Sequence, residues 1–118
     1  MEAQVFGTNR SNDTKKALRF FKERRIKTHF VDLEQRRAAA GELRRFGQKC
    51  GWDKLIDRSS KRYQDKHVRL TSLTESQILP LLEADPLLIV TPLVRIGDEV
   101  AVGWDEERWR EFMKKAGE

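Results

Sequence analysis

Apolar residues recur on two different periods along this chain, and the changes of period mark out its elements. Gln4–Thr8 opens with Val5 and Phe6 and reads as a short strand, with Gly7 opening a turn. From Asn12 to Arg25 the period is helical. Ala17, Phe20 and Phe21 stand at i, i+3, i+4 with Leu18 at the edge of that face, while Lys15, Arg19 and Lys22 point elsewhere, toward water. Core packing accounts for the two phenylalanines. Lys27–Leu33 alternates, with His29, Val31 and Leu33 on one side and Thr28, Phe30 and Asp32 on the other, so a second strand is expected. Ala38–Cys50 returns to a helix, with Leu43, Phe46 and Cys50 on one stripe and Gly51 to end it. A short amphipathic piece, Trp52–Asp57, and a short helix, Ser60–Lys66, anchored by Tyr63, follow. Thr74-Glu75-Ser76-Gln77 has the spacing of a capping box, and the helix behind it carries Ile78, Leu79, Leu81 and Leu82. Pro80 requires that helix either to start later or to bend. Leu87–Val90 reads as a buried central strand ended by Thr91-Pro92. Leu93–Ile96 and Val100–Val102 flank Gly97-Asp98 as an antiparallel hairpin. Asp105 can cap a last helix, Glu106–Lys115, with Trp109, Phe112 and Met113 inward.

The order is therefore β-α-β, a helical block, then β-β-α, which is an α/β arrangement. The first two strands are joined by a connection long enough to make them parallel. A single domain is expected over 1–118, with its core in about 1–34 and 86–118 and a helical insertion over about 35–85. No internal repeat, low-complexity tract or linker interrupts it.

Composition adds limits. At 118 residues, with 38% hydrophobic and 36% charged positions, the chain suits a soluble globule with a modest core. No run approaches the roughly 18 apolar residues of a membrane span. Met1–Gln4 has no basic segment followed by an apolar one, and Cys50 is the one cysteine, so a reducing cytoplasm is the expected location. The net charge of +5 is unevenly placed: residues 10–69 hold 19 Lys/Arg against 8 Asp/Glu. This is either a solvated surface or a basic face for an acidic partner, a nucleic acid or an anionic substrate. No helix-turn-helix, zinc-ligand or RNA-binding aromatic motif accompanies the charge, so nucleic acid is not the expected partner. His29 has no His or Cys neighbours and reads as a sheet-edge residue rather than a metal ligand.

The candidate chemistry lies where the first strand turns into the first helix. Ser11 or Asn12 can cap that helix, whose free N–H groups and partial positive charge can hold an anion or stabilise a thiolate. Phe6-Gly7, then Ser11-Asn12-Asp13-Thr14, then Lys15-Lys16-Ala17 resembles the reactive turn of the ArsC/Spx family of arsenate reductase-like proteins. Typical members carry Cys-x-x-(Ser/Thr) there. Three more segments support the resemblance: Leu55-Ile56-Asp57-Arg58, Val90-Thr91-Pro92-Leu93 and Val102-Gly103-Trp104-Asp105-Glu106. Together they cover essentially the whole chain in the family's order.

The resemblance implies a thioredoxin-like fold with a mixed four-stranded sheet, a cis Thr91–Pro92 bond facing the reactive turn, and a binding site formed by Arg10, Ser11, Asn12, Thr14, Arg58, Thr91 and Pro92. Arg58 stands at the place of a family arginine that contacts the substrate oxyanion. The other two oxyanion arginines have no counterpart: one position falls on Pro86 and the other near Val102-Gly103, with Arg95 the nearest substitute in sequence. Family reductases use a cysteine thiolate with glutathione and glutaredoxin as reductants, and Ser11 stands at the cysteine's place. A serine hydroxyl ionises far less readily and forms no disulfide. Spx-like members bind RNA polymerase and switch through Cys-x-x-Cys, which Ser11–Thr14 also lacks.

Two readings follow. In one, the chain is a non-catalytic binding or regulatory protein that recognises a protein partner (glutaredoxin-like or part of the transcription machinery), a thiol or a small anion, with no cofactor or metal. In the other it is a glutathione-dependent reductase whose nucleophile is substituted at Ser11 or relocated to Cys50. Cys50 itself reads as a small buried hydrophobe near a helix end, away from the reactive turn.

Overall fold

A computed structural model describes residues 1–65 and 74–117. Four strands form a mixed sheet in the order β2-β1-β3-β4. Strand β1 (Glu2–Gly7) runs parallel to β2 (Lys27–Asp32), with Phe6 opposite Val31. On its other side β1 pairs antiparallel with β3 (Leu93–Ile96), which turns at Gly97 (φ 60°) into β4 (Glu99–Val102).

The pleat sends alternate residues of the sheet into two separate cores. Ala3, Val5, Val94, Ile96 and Ala101 face helices α1 (Asn12–Glu23) and α5 (Glu106–Ala116), burying Phe20, Phe21, Trp109 and Phe112. Phe6, Val31, Leu93 and Val100 face the opposite layer. There α2 (Ala40–Cys50) supplies Leu43 and Phe46, and α4 (Glu75–Ala84) supplies Ile78, Leu79 and Leu82. The rings of Phe6 and Phe46 meet edge to face with centroids 5.6 Å apart, tying β1 to α2. Helix α3 is described over Lys61–Asp65, and the expected position Lys66 lies outside the described residues.

Most elements fall where periodicity places them, and the bounds move for local reasons. Helix α2 starts at Ala40 because Glu42 Oε1 reaches back to accept the Ala39 N–H at 2.8 Å. Helix α4 runs through Pro80, whose ring faces solvent, and Thr74 takes its N-cap place with Oγ1 3.0 Å from Ser76 Oγ. The one expected strand that does not form is Leu87–Val90. Pro86 starts a 3-10 turn over Pro86–Leu88, and Asp85 caps it by accepting the Leu87 N–H. Asp85 is 3% exposed and also accepts Arg62 Nε at 2.6 Å. Only Ile89 enters β pairing, as an isolated antiparallel bridge to Ile56. Asp57 N–H donates to Leu88 O at 2.8 Å and Val90 N–H to Leu55 O at 2.7 Å. This bridge carries the helical layer up to the end of β1, where the candidate site lies.

Candidate functional site

Three backbone segments meet at the C-terminal end of β1. The first is the β1–α1 turn. Ser11 N–H donates to Thr8 O, and Ser11 Oγ accepts the Thr14 N–H at 3.1 Å, so Ser11 and not Asn12 is the cap. The second is Val90-Thr91-Pro92, in which the Thr91–Pro92 bond is cis, as the resemblance implies. The third is Gly103-Trp104, held by the Gly103 N–H donating to Pro92 O at 2.8 Å. Gly103 takes φ 77°, a conformation that favours glycine. Asp57 completes the margin from the bridge segment.

These segments enclose an open groove of about 690 Å³ lined by Ser11, Asn12, Asp13, Asp57, Val90, Thr91, Gly103 and Trp104. Trp104 is 41% exposed, and its ring meets buried Trp109 edge to face at 4.8 Å. One face of an indole is thereby fixed by the core while the rest is offered to solvent. The charged residues of the lining are both carboxylates, Asp13 and Asp57. Asp57 Oδ1 is engaged by Ser59 N–H and by Ser59 Oγ at 2.6 Å.

The expected site residues divide accordingly. Ser11, Asn12 and Thr91 line the groove. Thr14 is fully buried behind the turn, and its Oγ1 has no hydrogen-bond partner among the described residues. Pro92 is buried below Thr91. Arg10 is 85% exposed, lies 3.5 Å from Glu34, and does not reach the lining. Arg58 is exposed, pairs with no described residue, and also lies outside the lining. Its neighbour Asp57 takes the inward place instead. Arg95 is not brought to the groove: it sits opposite Gln4 on β3, donates to Gly97 O at 2.8 Å, and lines a separate hollow with Glu2 and His29. His29 is satisfied by Glu2 at 3.2 Å, which helps hold the Glu2 carboxyl below its usual range.

Cys50 ends α2, half-buried, with Sγ donating to Val100 O at 3.6 Å. Burial pushes its thiol up, which disfavours the thiolate. Asp13, Asp57 and Trp104 are groove residues that sequence reasoning did not select. All three lay in quoted motifs, but for Asp57 and Trp104 which side chain of the motif turns inward is decided only by the tertiary bridge and the Gly103 turn.

A parallel βαβ unit, an antiparallel hairpin and a cis-proline segment facing a capped helix start define a thioredoxin-like protein. The chain belongs to the ArsC family, whose sequence profile matches residues 6–112. It is 27% identical over 101 residues to the uncharacterized protein YusI of Bacillus subtilis, covering 82% of this chain and 86% of that protein. It is 28% identical over 95 residues to the global transcriptional regulator Spx of Listeria innocua, covering 80% and 69%. Among solved structures, the YffB (PA3664) protein superposes with a TM-score of 0.83 at 20% identity, covering 92% of this chain and 96% of that one. An arsenate reductase from Vibrio cholerae gives 0.82 at 16% identity, covering 95% and 98%. No helix among the described residues is long and apolar enough to cross a membrane.

Proposed function

We propose that this chain is a non-catalytic ArsC-family protein that binds a partner protein at the groove between Ser11, Thr91 and Trp104. The observation that carries the reading is the lining itself: a capped serine hydroxyl, two carboxylates and a half-exposed indole, with neither thiol nor cation among them. An oxyanion would meet Asp13 and Asp57 where a reductase needs positive charge, and like charges at close range oppose binding. A thiol ligand would find no sulfur to exchange with, because the hydroxyl of Ser11 forms no disulfide. Glutathione does not fit as a reductant for the same reason, and the thiol of Cys50 is engaged at Val100 and held protonated by burial. A protein surface can use what remains: a flat indole for apolar contact, Thr91 for backbone pairing beside the groove, and carboxylates for polar rim contacts. The transcriptional role that the Spx relatives carry in their name, global transcriptional regulator, supports a partner in the transcription machinery, with RNA polymerase the first to test.

The decisive experiment is a glutaredoxin- and glutathione-coupled assay with arsenate and with a small mixed disulfide, run beside equilibrium binding to purified RNA polymerase. The chain is expected to turn over neither substrate, and Ser11→Cys to remain inert toward arsenate because Arg58 and Arg95 stand outside the groove. Turnover by the unmodified chain overturns the non-catalytic reading. Binding to the polymerase is expected to weaken in Trp104→Ala. Absence of binding removes that partner and makes a glutaredoxin-like protein the next to test.

A further inference from the structure

Helix α1 turns a row of five cations to solvent. Lys15, Arg19 and Lys22 follow one another at i, i+4, i+7 on the side away from buried Thr14, Ala17 and Phe21. Lys16 flanks them, and Arg25, at φ 58° just past the helix, extends the row. All five are exposed, and none makes an ion pair with any described residue. Several cations elsewhere are paired, Arg36 with Glu42, Arg44 with Glu75, Arg62 with Asp85, Arg110 with Glu106 and Lys115 with Glu99, whereas cations such as Lys54, Arg58 and Lys61 make no ion pair with a described residue but do not form a row along one helix face.

Like charges three and four residues apart oppose helix formation. The row therefore works against the fold and gains only from negative charge supplied from outside. Its extent is short, about 15 Å from Lys15 to Arg25 at the α-helical rise. Carboxylates bound it on several sides: Asp13 and Glu23 at the two ends of α1, and Glu106 and Glu107 at the start of α5, which packs on α1 through Phe20, Phe21 and Trp109. A nucleic acid, charged along its whole length, would run past the row onto these acids. The row also lacks a stacking platform for bases, because the large exposed hydrophobics among the described residues are Met1, Leu87 and Trp104, none of them on α1.

We infer that the exposed face of α1 is a docking surface for a short acidic segment of a partner protein, its Asp or Glu side chains meeting Lys15, Arg19 and Lys22. The inference extends the protein-partner reading but uses no groove residue, so each can fail without the other.

The test is fluorescence anisotropy at low salt with labelled poly-glutamate, and with single-stranded and duplex DNA of matched charge. Poly-glutamate is expected to bind more tightly than either DNA. Lys15→Glu/Lys22→Glu is expected to weaken it by about tenfold or more, while the equal charge change Lys54→Glu/Lys61→Glu leaves it within about twofold. Circular dichroism checks the fold, and Lys15→Gln/Lys22→Gln serves in its place if the charge reversal unfolds the chain. The inference is overturned if poly-glutamate does not bind, if both variants lose affinity equally, or if DNA binds more tightly through the same residues. Groove variants such as Trp104→Ala are expected to leave poly-glutamate binding unchanged, which separates the two surfaces.

Discussion

Gly7 lies against Thr14: a Cβ placed on Gly7 would stand 2.3 Å from Thr14 Oγ1 and 2.5 Å from its Cγ2. Strand β1 and the first turn of α1 therefore meet at a contact that only hydrogen leaves room for. Gly7→Ala is expected to push the helix start away from the strand and to destabilise the chain by about 2–3 kcal/mol, as overpacking does in a close-packed interior. Thermal melts report it directly. Melting unchanged from the parent would show that the turn yields freely.

Thr14 carries the converse expectation. Its hydroxyl is buried and unpaired among the described residues, although its N–H is used by the Ser11 cap. Thr14→Val keeps the shape, keeps the cap and removes a desolvated polar atom. Stability should rise by about 1 kcal/mol. A loss of similar size would mean that the hydroxyl has found a hydrogen bond and contributes to the turn.

Trp109 and Trp104 touch, yet their removal should differ sharply. Trp109 is fully buried among Phe20, Phe21 and Trp104, so Trp109→Ala leaves a large cavity and is expected to cost about 3–5 kcal/mol. Trp104 is half-exposed and its truncation removes chiefly one edge-to-face pair, worth about 0.5–1.5 kcal/mol. Denaturant titration of both variants checks the ranking. If Trp104→Ala proves the more damaging, the indole is a structural prop and not a platform offered by the groove.

How far the sequence reaches depends on how local each determinant is. The hairpin at Gly97-Asp98, the cap Asp105 and a cap at Ser11 or Asn12 were legible because glycine and short polar side chains act within a few residues, and the structure settles the last on Ser11. The β-α-β, helical block, β-β-α order was legible for the same reason, since periodicity sets element type, and the thioredoxin-like fold came from the family resemblance. Leu87–Val90 was not: a four-residue apolar run fits a strand or a turn equally, and the deciding partners, Asp85 with Arg62 and Ile56 with Ile89, come from outside it. The site was half legible. Ser11 is fixed by the turn of its own segment, whereas Thr91 was reached only through its motif, since Val90 and Pro92 on either side of it are held by Leu55 and Gly103. Asp57 lines the groove in place of Arg58 because the bridge to Leu88 and Val90 sets which side chain of that pair turns inward, and no local pattern encodes that choice.

Glu42 makes stability depend on acid. Burial alone would raise its pKa, but the paired Arg36 guanidinium and the Ala39 N–H outweigh it and hold the carboxyl below its usual value. A carboxyl lowered in the folded state binds its proton more readily when unfolded. Its contribution is therefore complete above the ordinary carboxylate range of about 4.3 and is lost as pH falls through the lowered folded value. Glu42→Gln keeps an acceptor for Ala39 N–H but discards the ion pair. It is expected to cost about 0.5–1 kcal/mol at neutral pH and to flatten the acid limb of the stability profile. Parallel acid limbs for parent and variant would place the acid sensitivity elsewhere.

Arg19 separates what the fold needs from what the surface of α1 is for. It stands four residues after Lys15, three after Lys16 and three before Lys22, with only Glu23 opposing them at i+4, and no ion pair forms there. Arg19→Glu converts three repulsive neighbours into attractive ones and makes one attractive neighbour repulsive. At roughly 0.2–0.5 kcal/mol per pair, each reversal of sign counts twice, and the net of two pairs should gain the variant about 0.8–2 kcal/mol. The gain should shrink as salt rises, because the pairs are exposed and screened. A residue kept for folding alone cannot behave this way, since its charge reversal would cost stability. If Arg19→Glu melts at a higher temperature at low salt and also loses poly-glutamate, the cation opposes the helix and serves a partner. If it melts lower at every salt concentration, the row stabilises α1 through contacts within the chain, and the case for an acidic partner on this face falls with it.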